Sequence, residues 1–79
     1  MITNGIQVLE QDSSKIIQTH YKLRYNSRNY TFIDYIYEDS GEPVRAGEMC
    51  VITDHFGKVV ESEDLRETFG VFVDLLNRK

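Results

Sequence analysis

The sequence predicts an α+β fold: an antiparallel sheet of four or five strands, a meander of hairpins, with one C-terminal amphipathic helix packed on one face. Three observations carry this expectation. Residues 15–25 alternate apolar and polar side chains with period two, which gives a strand one buried and one wet face. β-branched and aromatic runs are separated by clusters of turn formers. From Leu65 onward the apolar residues recur with helical spacing instead. The chain has 79 residues, 41% hydrophobic and 28% charged, so one domain over 1–79 with a thin core is expected.

The first strand is expected at Ile6–Glu10, followed by a polar turn at Asp12, Ser13 and Ser14. In the next strand Ile17, Thr19, Tyr21, Leu23 and Tyr25 share one face, and Gln18, His20, Lys22 and Arg24 the other. Asn26–Asn29 turns the chain, and Tyr30–Glu38 returns as a strand. A loop centred on Ser27 and Arg28 sets Tyr25 opposite Tyr30, Leu23 opposite Phe32 and Tyr21 opposite Asp34. Asp34 then falls on the apolar face, where it either meets solvent or accepts a hydrogen bond.

Asp39–Gly47 reads as a loop, with Gly41, Pro43 and Gly47. Glu48–Thr53 is expected as a strand. Asp54–Lys58 is a second hairpin turn in which Gly57 takes positive φ, and Val59–Glu61 the returning strand. Ser62 is placed to cap the helix, with Glu63 and Asp64 in the first turn, where the helix dipole favours negative charge. The apolar set Val71, Leu75, Phe72, Leu65, Leu76, Phe69 and Val73 spans an arc of about 200°, wider than packing on one sheet requires. Gly70 falls on the polar side. Val71 and Leu75 lie at one border of the arc and are the residues expected on a homodimer face.

The charge of −4 is unevenly distributed. Residues 1–33 carry four bases against two acids, whereas residues 34–74 carry eleven acids against three bases. Such a field repels nucleic acid over most of the surface and attracts basic partners. His20, Lys22, Arg24 and Arg28 supply only a small basic strip beside the tyrosines, so nucleic acid is not the expected partner.

Little points to chemistry. His20, His55 and Cys50 have no metal-ligand spacing, and no glycine-rich phosphate loop is present. Cys50 sits among apolar strand residues, the setting of a structural thiol. No cofactor and no catalytic residue is expected. No apolar run spans a membrane, the first residues lack the pattern of a secretory signal, and a single cysteine fits a reducing cytoplasm. The expectation is a non-enzymatic interaction module, a small acidic inhibitor or regulator. It would occupy a basic surface of a larger protein, of the kind that often holds nucleic acid, as phage-encoded anti-defence and anti-CRISPR proteins do. The analogy is one of size and charge. Glu38, Asp39, Glu42 and Glu48, with Tyr35 and Tyr37 as anchors, form the expected partner-binding patch. A structural homodimer or assembly subunit is the alternative, ahead of a small ligand-binding or RNA-binding domain.

Overall fold

The computed structural model describes residues 2–3, 5–14, 18–36, 41–44 and 48–77. Within them lie β1 (Ile2–Thr3), β2 (Ile6–Asp12), β3 (Gln18–Tyr25), β4 (Arg28–Tyr35), β5 (Cys50–Asp54) and α1 (Glu63–Asn77). The five strands form one antiparallel sheet in chain order. The α+β arrangement is therefore the one the patterning predicts.

The alternation in β3 produces the expected two faces. Thr19, Tyr21 and Leu23 are buried, while Lys22 and Arg24 are exposed. The register with β4 differs from the expected one by two residues. Tyr25 pairs with Arg28, Leu23 with Tyr30, Tyr21 with Phe32 and Thr19 with Asp34. The turn is centred on Asn26 and Ser27, whose φ angles are 51° and 61°. Two consecutive left-handed residues match the right-handed twist of the flanking strands, and asparagine tolerates that conformation better than most residues. A slip of two residues leaves every side chain on its expected face. Asp34 accordingly lies on the apolar face, 5% exposed, so the face does not open to solvent there.

Three other expectations are corrected. β2 runs on to Asp12 and carries a bulge, its register to β3 shifting between Val8 and Glu10. The extra residue, Leu9, is left 47% exposed. Val59–Glu61 is not a strand. Val59 makes one bridge to Thr53, and the chain then leaves the sheet to reach the helix start. β5 begins at Cys50 rather than Glu48. Lys15–Ile17, Tyr37–Ser40 and Arg45–Gly47 lie outside the described residues, with the parts of the expected strands and loop that fall on them.

The turn after β5 forms as its residues dictate. Gly57 has φ +82°, and Asp54 Oδ1 accepts the Phe56 and Lys58 amides at 2.9 and 3.0 Å. Ser62 caps α1, its Oγ accepting the Leu65 amide at 3.3 Å. The helix crosses the sheet through Phe69, Phe72 and Val73. Gly70, expected on the polar side, is buried too. The buried stripe is thus turned towards Val73 and Gly70, away from Val71 and Leu75. At the far end Asn77 Nδ2 donates to the Tyr21 hydroxyl at 3.3 Å.

Phe69 is fully buried and meets Tyr25, Tyr30 and Phe32 edge-on, with ring centroids at 5.7, 5.5 and 5.8 Å. Phe69→Ala should cost about 3–5 kcal/mol, the range for deleting a buried aromatic ring, measured by urea denaturation. Ser27→Gly should have the opposite sign, gaining up to about 1 kcal/mol, since glycine adopts φ near 60° without a Cβ clash.

Candidate functional site

The expected partner-binding residues divide into three groups. Glu42 and Glu48 are exposed, both within the connection between β4 and β5. Tyr35 is half-buried at the end of β4, its amide bonded to the Met49 carbonyl at 2.9 Å. Glu38, Asp39 and Tyr37 lie outside the described residues. The pair at the border of the apolar helix arc is clearly placed: Val71 is 50% and Leu75 43% exposed.

Val71 and Leu75 belong to a longer stripe. With Asp64, Glu67 and Asp74 they follow the i, i+3, i+7, i+10, i+11 spacing of one helix face, and all five are exposed. The burial of Phe69, Gly70, Phe72 and Val73 fixes the roll of the helix and turns this stripe outward. Among the described residues it holds three carboxylates beside two apolar side chains and no lysine or arginine. Arg66 instead flanks a cleft with Cys50. The arc width marked Val71 and Leu75 in advance. The acids beside them were equally legible on the helical wheel, but the sequence reading grouped acids by chain position instead.

Under the helix lies a small polar cluster. Burial pushes the Tyr21 hydroxyl above the usual tyrosine range; the hydrogen bond from Asn77 opposes the rise and the nearby Asp34 charge adds to it. Burial likewise raises the Cys50 thiol, with the Arg66 guanidinium opposing and Asp34 and Glu63 reinforcing. A thiol so placed stays protonated near neutrality, the opposite of what activates a cysteine nucleophile. Among the described residues no buried side-chain nitrogen or oxygen lacks a hydrogen-bond partner, so Asp34 is accommodated within the fold. Among them, too, no group of three or more His, Cys, Asp or Glu is arranged to hold a metal ion. No described helix is long and apolar enough to cross a membrane.

The sequence reading missed a groove of about 520 Å³ at the hairpin end of the sheet. Arg24, Arg28, Asn29, Tyr30, Asp54, His55 and Phe56 are among the residues that line it. Pairing of Arg24 with Asn29 and of Tyr30 with Asp54 brings the β3–β4 turn beside the turn after β5. The Arg24 Nη1 donates to Asn29 Oδ1 at 3.0 Å, and the His55 and Phe56 rings lie 3.9 Å apart. The basic strip was visible in the sequence, but its convergence with Phe56 depends on the topology.

Comparison with protein-family models, with curated proteins and with solved structures finds no match to this chain.

The raised Cys50 and Tyr21 groups set the sign of the alkaline stability. Between a group's unfolded and folded pKa the folded chain binds more protons, so stability falls as pH rises through that window. Denaturant midpoints should therefore decline from about pH 9 upward, and Cys50→Ala should remove the first part of that decline.

Proposed function

We propose that the protein is a non-enzymatic interaction module, a small acidic inhibitor or regulator that occupies a basic surface of a larger protein. The observation that carries this reading is the outward helix stripe: Val71 and Leu75 flanked by Asp64, Glu67 and Asp74. Apolar side chains supply the desolvated anchors of an interface, while a carboxylate rim steers encounter and selects a complementary basic surface. The net charge of −4 adds to this steering. Basic protein surfaces commonly hold nucleic acid, and an acidic domain there would act by mimicking phosphate charge. The likeness to anti-defence and anti-CRISPR inhibitors rests on size and charge. The exposed Glu42 and Glu48 extend the acidic surface beyond the helix.

Self-association through Val71 and Leu75 is the second reading, favoured by their exposure. Two copies meeting on this stripe would set carboxylates against carboxylates, which opposes that arrangement.

Affinity capture from cell extract tests the proposal, with wild type and a Glu67→Lys, Asp74→Lys double variant as baits. Both positions are exposed, so the fold should lose no more than about 0.5 kcal/mol at each. Wild type should retain a basic protein at 0.05 M salt and release it as salt rises, and the variant should fail to retain it. Equal retention by both baits would remove the helix stripe from recognition. In sedimentation at high micromolar concentration the wild type should be monomeric. A dimer that Val71→Glu dissociates would establish the second reading instead.

A further inference from the structure

We propose that the groove at the hairpin end binds a small ligand joining a planar aromatic ring to a phosphate, a nucleoside monophosphate being the type. Its volume of about 520 Å³ falls within the range of small-molecule sites, about 300–1,000 Å³. Two arginines line it from adjacent strands, Arg24 from β3 and Arg28 from β4, with Asp54 the one carboxylate in its described lining. Neither is ion-paired with a described carboxylate, whereas neighbouring Lys22 is engaged by Glu10 at 3.3 Å. Arg24 is oriented by its hydrogen bond to Asn29, which leaves the remaining N–H groups of a planar fork for an anion. The charge therefore sits in the form that recognises phosphate best.

The aromatic element is equally specific. Phe56 is 83% exposed at the groove, an unfavourable position for a phenyl ring in water. The backbone that carries it is nonetheless held in place. The Asp54 carboxylate receives the amides of Phe56 and Lys58, and Gly57 takes the positive φ that the turn needs. His55 lies against one side of the ring. An exposed aromatic ring carried on a hydrogen-bonded turn beside two arginines is the combination by which single nucleotides are bound, through stacking and phosphate contact. The ligand is small because the acids elsewhere on the chain oppose a long polyanion more than one phosphate. None of these residues belongs to the acidic helix stripe, so the two proposals stand or fall separately.

The test is an NMR titration of the isotopically labelled chain with adenosine 5′-monophosphate, adenosine, inorganic phosphate and a single-stranded RNA hexanucleotide. The monophosphate should give saturable shifts at Asn29, His55 and Phe56, with adenosine and inorganic phosphate each binding at least about tenfold more weakly. Phe56→Ala and Arg28→Ala should each weaken the monophosphate about tenfold while leaving the rest of the spectrum intact, since both side chains are exposed. Absence of saturable shifts overturns the proposal. So does phosphate binding as well as the monophosphate with no effect of Phe56→Ala, or binding of the hexanucleotide alone.

Discussion

The burial of Phe69 among Tyr25, Tyr30 and Phe32 is the contact on which the rest of the molecule depends. A sheet of this size has one apolar face and cannot cover it alone. Phe69 is the residue that meets β3 and β4 at once, edge-on to three rings, the geometry that aromatic quadrupoles favour. Phe72 and Val73 follow it into the core, and Asn77 ties the last turn to the Tyr21 hydroxyl. Ser62 fixes the other end. The helix is thereby tied to the sheet at its centre and its last turn, which sets its roll.

That fixed roll connects the core to the surface. With Phe69, Gly70, Phe72 and Val73 facing the sheet, the opposite positions can only face outward. Two of those positions are apolar and three acidic, and this mismatch between packing and composition motivates the functional reading. A helix serving only to close the core would carry polar residues at Val71 and Leu75. The same sheet geometry generates the arginine-lined groove at the hairpin end. Antiparallel pairing of β4 with β3 and β5 gathers two turns at one edge. Among the described residues the outward helix stripe is acidic, and Arg24 and Arg28 lie at the hairpin end without an ion pair.

Much of the fold was legible because periodicity survives ignorance of tertiary contacts. Thr19, Tyr21 and Leu23 are buried because they alternate, and Ser62 caps because its hydroxyl precedes two acids. The register of β3 and β4 was not legible. Asn26–Asn29 offers more than one two-residue turn, and a slip of two leaves the hydrophobic pattern unchanged. The bulge left a trace, since adjacent Val8 and Leu9 break the alternation of β2. Gly70 carried no hydropathic signal, and its burial follows from where the helix lies rather than from its own side chain. The groove was hidden more deeply. Arg24 and Arg28 lie on the first hairpin and Phe56 on the turn after β5, and only the sheet brings the two turns together. The carboxylates of the helix stripe stood in plain view but were read along the chain instead of around the helix.

Thiol labelling tests most directly whether the helix roll leaves an open recognition stripe. Single Val71→Cys, Leu75→Cys and Val73→Cys variants in a Cys50→Ser background would be exposed to a small maleimide at low micromolar protein. The account predicts labelling at 71 and 75 within a fewfold of the unfolded chain, and protection at 73 that disappears only on unfolding. Strong protection at 71 and 75 in the dilute native protein would contradict it, because the acidic and apolar stripe would then be covered and unable to receive a partner.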